Sequence, residues 1–584
     1  MRYLRMLSNS VIAAGLASAY LAVLFLQVNP AIPIDAGTLT PLALTIGASY
    51  GAILTIAFYA LIMFRQILTV EALSPGWLSV RVMSWLCAIA AVTGATIMWL
   101  NLNGFGPVLD APTTARMAVG AGLVSVAALV FLLIGLSHLG RRAGRMSATI
   151  LSITMFASVA APLLARGPGH VVAGPAKPTM PHADLNAERA GARVTMLMLD
   201  GASLDAISPA VAAGRLPNIG RIFDQGAVLH LATLRPTQAE PVWSTIATGR
   251  LPMNNGIRSA VLYRAPGGVP LLMLPDYCFA QALVRVGVLG EEPHTAADLS
   301  ARPIWSILSD LGVRVGIIGW PLTHPAPEVN GFLVSDTFHR LLDSGVALEE
   351  SKGLWPPSRF ADASAALAVP AAPDPVSLVS SMGAPQPRND YDVGRDPAPV
   401  VADRVHLQLL NAFGPRSRFL AARFPGIDAV GHLFLRYADP SAFGDVSEDE
   451  LRQFGGVLNQ YYGFVDTLVG REMEKLDPDD LLLVVSAFGM EPLSPSKRLL
   501  EMAVGNPQIS GTHERAPDGF VLAFGSSVAP GRPARAALVD VTPTVLYFLG
   551  LPVGADMEGL ARTDIFKQSF TAENPVTFIP SYGR

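Results

Sequence analysis

The sequence predicts an N-terminal transmembrane α-helical region followed by an α/β domain with a mostly parallel sheet flanked by helices. Three observations carry this. Apolar runs long enough to cross a bilayer are confined to residues before 166. The stretch 166–193 is rich in Gly, Pro and Ala without apolar periodicity, which reads as a linker. Beyond it, short apolar runs of strand length alternate with helical stretches, the pattern of strands buried on both faces.

Bulk composition agrees. At 584 residues the chain exceeds one ordinary domain of roughly 100–200 residues. With 51% hydrophobic and 15% charged residues, it is too apolar for a purely soluble protein. A net charge of −4 offers no basic field for nucleic acid. Of the two cysteines, Cys87 lies in an apolar run and Cys278 far beyond it, so neither an internal disulfide nor a cysteine-based zinc motif is expected.

Five apolar runs, at 11–27, 41–64, 80–100, 117–137 and 147–165, can each cross a hydrocarbon core of about 30 Å. The first follows Arg2 and Arg5 as a signal peptide would, but no small-residue cleavage site follows it, so it reads as a retained helix. Arg2, Arg5, Arg65, Arg81, Arg141, Arg142 and Arg145 flank alternate ends of the spans, while 28–40 and 101–115 contain no Lys or Arg. Positive charge stays inside. The expected topology is a cytoplasmic N-terminus, five crossings and an extracytoplasmic domain at 194–584. Trp77, Trp85 and Trp99 fall near span ends, where amphipathic aromatics settle. No Asp, Glu, Lys or His lies deep within a span, so no proton relay is expected. The Ala- and Arg-rich, Lys-poor usage favours a bacterial inner membrane. Beyond the lipid bilayer itself, five spans leave room for a membrane or envelope protein partner.

In the α/β domain, strands are expected at 194–199, 313–318, 331–335, 480–486 and 519–524, and a helix from Pro543 with Thr542 as its N-cap. The Pro- and Ala-rich 351–400 reads as a surface insertion, within insertions near 258–312 and 337–415 that would shape specificity. Ligands of open parallel sheets bind beyond the carboxyl ends of the strands. There stand Asp200, Asp428 with His432, and His513 just before a strand. Asp, His and His are zinc ligands, and three of them with an open position make a catalytic-type site. An Asp-x-x-x-His alone is more often a helix-surface pair.

Taken in order, these segments resemble the type I phosphodiesterase/nucleotide pyrophosphatase branch of the alkaline phosphatase superfamily. The resemblance runs from VTMLMLDG at 194–201 through GWPLTHPAPEVNGFLVSD at 319–336, Asp428–His432 and GTHERAPDGFVLAFG at 511–525, to VDVTPTVLYFLGLPVGADMEGL at 539–560. It implies an alkaline phosphatase-like fold, a phosphoester ligand and two ions, usually zinc, clamping the ester about a Ser or Thr nucleophile. One implied metal site, Asp428, His432 and His513, is complete. The other keeps only Asp200; where the family has Ser-Asp-His-Gly, this chain reads Ser486-Ala487-Phe488-Gly489. The nucleophile's position, four residues before Trp243, is Ala239, and the usual His-Gly-Ile is Asn255-Gly256-Ile257. Thr237 and Ser244 are nearby hydroxyls out of register, and Glu240 adjoins the lost nucleophile.

Ala and Phe cannot bind zinc, and Ala cannot attack phosphorus. The expectation is one zinc or other divalent ion and no two-metal centre. The function expected first is a degenerate pseudoenzyme, an extracytoplasmic binding or scaffolding module. The alternative is a one-metal hydrolase or phospho-group transferase acting on an envelope phosphoester, with a single ion activating water near neutral pH. A purely structural ion is a third possibility.

Overall fold

A computed structural model describes residues 2–68, 77–137, 145–169, 191–342, 352–380, 399–414, 417–503 and 508–583. Most of the expected linker, Arg141 and Arg142, and parts of the 351–400 stretch lie outside them. The chain forms two compact units: Met1–Gly174 with Arg258–Pro293, and Pro175–Ile257 with His294–Arg584.

Among the described residues, the first unit contains five long helices, Arg2–Val28, Ala36–Leu68, Val80–Phe105, Ala111–Leu136 and Arg145–Arg166. All five are long and apolar enough to cross a membrane. Each extends beyond the apolar run read from the sequence, because polar turns continue the helix at its ends. Leu44, Ile53, Ile56, Leu129, Leu133 and Phe156 are exposed on their outer faces. Water would be a poor solvent for such a surface, and lipid a good one.

The second helix has 33 residues, about 50 Å at 1.5 Å per residue, which outruns a hydrocarbon core of about 30 Å. Its early residues Leu42, Ile46 and Tyr50 are covered by Leu271, Leu274, Leu283 and Leu289 from the segment Arg258–Pro293. That segment carries a three-stranded antiparallel sheet, Val269–Leu271, Val261–Ala265 and Gly290–Pro293. The sequence reads 258–312 as a single insertion of the α/β domain; here Arg258–Pro293 packs with the helices and 294–312 belongs to the α/β unit.

Two asparagines explain that packing. Asn29, just past the first helix, donates through Nδ2 to Met273 O (2.8 Å) and accepts through Oδ1 from Leu272 N (2.7 Å) and Met273 N (3.0 Å). Asn101 repeats the device, donating to Asp276 O and accepting from Asp276 N, both at 2.8 Å. Each side-chain amide pairs like a short piece of strand and satisfies backbone groups that would otherwise be buried unpaired. Arg166 closes the end of the first helix, donating to Leu26 O (2.8 Å), Asn29 O (2.8 Å) and Ile32 O (2.6 Å).

The second unit is built on a nine-stranded sheet, in the order Ala536–Ala537, Ala227–Ala232, Asp518–Phe524, Leu481–Phe488, Val194–Leu199, Phe419–Phe424, Val315–Ile318, Gly331–Val334, Leu354–Trp355. Asp518–Phe524 and Leu354–Trp355 run against their neighbours; the five strands between them are mutually parallel. Every residue of Leu481–Phe488 is buried, as the continuous apolar run requires.

Two helices add to what the sequence predicts. Pro399–Phe413, inside the insertion expected near 337–415, is a helix packed on the strands Phe419–Phe424 and Val315–Ile318, and its Val405, Leu409 and Phe413 join the main core. The helix expected from Pro543 spans Val541–Phe548 with Asp540 as its N-cap. A preceding turn, Leu538–Asp540, starts it early, and the Thr542 hydroxyl instead donates to Ile246 O at 2.6 Å.

Replacing Asn29 by Ala strands the Leu272 and Met273 amides and should weaken the packing of 258–293 by about 1–3 kcal/mol. Limited proteolysis of the reconstituted chain is expected to cut within 258–293 faster in Asn29→Ala than in wild type; equal cutting would show that the amide does not hold the segment.

Candidate metal centre

The strands Val194–Leu199, Phe419–Phe424 and Leu481–Phe488 end together, and the residues following or closing them meet at one edge. Asp200 follows the first. The helix Gly426–Ala438 follows the second and sets Asp428 and His432 one turn apart, on one face. His513 precedes Asp518–Phe524, whose reversed direction starts it at the same edge.

The structure brings Asp428, His432 and His513 together. One potential ligand atom of each lies within 4.8 Å of the others. Asp428 Oδ2 is 3.5 Å from His432 Nε2 and 3.9 Å from His513 Nε2. The imidazole orientations are fixed from behind: His432 Nδ1 lies 2.8 Å from Gly511 O and His513 Nδ1 3.1 Å from Thr237 O. A carbonyl only accepts, so each Nδ1 is the donor to it, and each Nε2 is turned toward Asp428. Asp428 Oδ1 is buried and has no hydrogen-bond partner among the described residues. Burial alone would raise the Asp428 carboxyl, but His432, His513 and the charge of Arg423 hold it below its ordinary value. A carboxylate and two inward-facing imidazole Nε2 atoms fit a divalent ion.

The other half of the expected centre is built differently. Ala487 and Phe488 are buried and offer no donor, and the Phe488 ring packs on His513 with centroids 4.9 Å apart. Asp200 is committed elsewhere. Its Oδ1 accepts from Trp243 Nε1 at 2.8 Å, and its Oδ2 accepts from Arg423 Nε at 3.0 Å and from Arg423 Nη2. The residues present do not fit a second ion. Arg423 escapes a search for acids, histidines and hydroxyls, yet a cation in the apolar strand FLAARF is a visible signal, because a buried charge demands a partner. Burial works against that charge, but Asp200, Glu240 and Asp336 outweigh it and hold the guanidinium above its ordinary value.

Ala239 opens the helix Ala239–Thr248 and carries no hydroxyl. The nearby hydroxyls are hydrogen-bonded: Thr237 is buried and donates to Leu234 O (2.6 Å), while Ser244 donates to Pro241 O (3.0 Å). Asn255 is also structural, donating to Arg250 O and accepting from Ile257 N.

Gly201 lets the two halves approach. Its φ is +71°, and a Cβ there would stand 2.8 Å from both Asp428 Cα and Oδ1. Gly201→Ala should therefore displace Asp428 and cut zinc affinity at least about tenfold, the scale seen when groups supporting a metal's ligands are lost. Competition with a chromophoric chelator reads this out, and unchanged affinity would show that the ion does not use Asp428.

A profile of the type I phosphodiesterase/nucleotide pyrophosphatase family matches residues 194–518, more than half of the chain. No curated protein matches. Among solved structures, an inactive form of murine ectonucleotide pyrophosphatase/phosphodiesterase 5 in complex with AMP is similar at 12% identity, covering 64% of this chain and 100% of its own, with a TM-score of 0.36. The family match, on a sheet whose carboxyl edge gathers Asp200, Asp428, His432 and His513, makes the chain a member of the type I phosphodiesterase/nucleotide pyrophosphatase family.

Proposed function

We propose that the chain is a membrane-anchored pseudoenzyme: a phosphodiesterase-fold domain that holds one divalent ion and binds a phosphoester without two-metal turnover. One observation carries this reading. The carboxylate that should hold a second ion is saturated by Trp243 and Arg423. Ala239 leaves no nucleophile beside it.

An ion held by Asp428, His432 and His513 would supply a Lewis acid for a phosphoryl oxygen. The chain's own residues position and neutralise. His432 and His513 keep their Nδ1 protons on backbone carbonyls, so their Nε2 atoms remain donors to a cation. Phe488 and Ala487 dry the wall where other ligands would stand.

The domain is read as extracytoplasmic and the membrane as a bacterial inner membrane. This is supported by the packing of 258–293 on Asn29 and Asn101, in or next to the loops that contain no Lys or Arg. A second reading, a one-metal hydrolase or transferase acting on an envelope phosphoester, is favoured by the complete donor set alone.

The two readings separate in turnover. The zinc-loaded full chain is expected to hydrolyse a para-nitrophenyl phosphodiester no faster than its Asp428→Asn and His513→Ala variants. Turnover that both substitutions abolish would replace the pseudoenzyme by the one-metal hydrolase.

A further inference from the structure

We propose that the Arg423 guanidinium takes the place of the second ion, so that one divalent ion and one arginine form a mixed two-cation site for a phosphate group. The proposal rests on the phosphoester-binding reading and specifies its chemistry.

Arg423 lies on the strand Phe419–Phe424, in register with Met198, two residues before Asp200 on the neighbouring strand. Its bonds to Asp200 use Nε and Nη2 on one carboxylate oxygen, while Trp243 takes the other. An ion entering here would have to displace a guanidinium whose side chain is only 17% exposed, leaving that charge without its partner. Arg423 lies one residue before the end of the strand that leads into the helix Gly426–Ala438, which carries Asp428 and His432 of the first site. Gly201 brings the Asp200 turn against Asp428, so the two cationic positions adjoin.

Arginine suits this substitution. It cannot lose its proton at any physiological pH, and its planar fork matches phosphate oxygens as well as carboxylate. Among the described residues, its Nη1 has no hydrogen-bond partner, which leaves that nitrogen to a ligand. A phosphate held by the ion would find beside it a guanidinium N–H donor that is covalently part of the chain, where a two-metal clamp has a second ion. Ala487 and Phe488, which offer no donor, then fit the same arrangement, since no second ion is left to be held there. The ligand class is a phosphomonoester or phosphodiester anion.

The test uses the full chain in detergent, loaded with zinc, with zinc counted by plasma mass spectrometry and inorganic phosphate titrated calorimetrically. One zinc per chain is expected. The pair Asp200→Asn with Arg423→Gln removes two opposite charges together and keeps hydrogen-bonding groups in place. It should retain one zinc and bind phosphate at least about tenfold more weakly, the loss of a charge-assisted contact. If that pair does not fold, the apolar pair Asp200→Leu with Arg423→Met serves with the same expectations. Two zinc ions on the wild-type chain, or undiminished phosphate binding by the neutral pair, would overturn the assignment. Metal-dependent turnover of the nitrophenyl diester would defeat the pseudoenzyme reading alone, leaving the zinc count and the dependence on Arg423 intact.

Discussion

A carboxylate at the carboxyl end of a buried central strand has to be neutralised, and the character of this site follows from how Asp200 is. Its sheet position is one at which the family resemblance implies a metal ligand. Here its two oxygens are closed by an indole N–H and a guanidinium. Removing one partner of such a buried pair costs about 3–5 kcal/mol, because the other is left charged and dry. The pair is thus a commitment. With Arg423 in place, an Asp-His pair at 487–488 has no ion to bind, and Ala487 and Phe488 pack as core. Phe488 then supports His513, so loss on one side of the centre steadies the geometry of the other.

The retained half depends on backbone more than on side chains. Gly511 O and Thr237 O fix the two imidazoles, and Gly201 admits Asp428. Thr237 contributes its carbonyl there while its hydroxyl is spent on Leu234. A residue close in sequence to the position expected for a nucleophile thus orients an imidazole through its carbonyl. Asp403, which burial pushes well above the ordinary carboxyl range, accepts from Gly426 N and Tyr461 OH and anchors the start of the helix carrying Asp428 and His432.

How much of this was legible in sequence varied with the kind of signal. The spans were, since long apolar runs have few alternative explanations, and so were the central strands, buried on both faces. The triad was visible as residue types beside strand ends, and the missing ligands as Ala487 and Phe488, which carry no donor. Arg423 was not, because a search for donors to a cation passes over a cation. Pro399–Phe413 was hidden by the Pro-rich stretch before it, although Val405, Leu409 and Phe413 share a helical face. The packing of 258–293 on the helices turns on Asn29 and Asn101, single polar residues that a hydropathy average cannot register.

The central claim is that the centre is mononuclear by construction, with Arg423 where a second ion would be. Anomalous scattering at the zinc edge from crystals of the zinc-soaked chain tests it most directly. The account predicts one peak, bounded by Asp428, His432 and His513, with the Asp200–Arg423 pair intact. A second peak on Asp200, with Arg423 swung away, would contradict it.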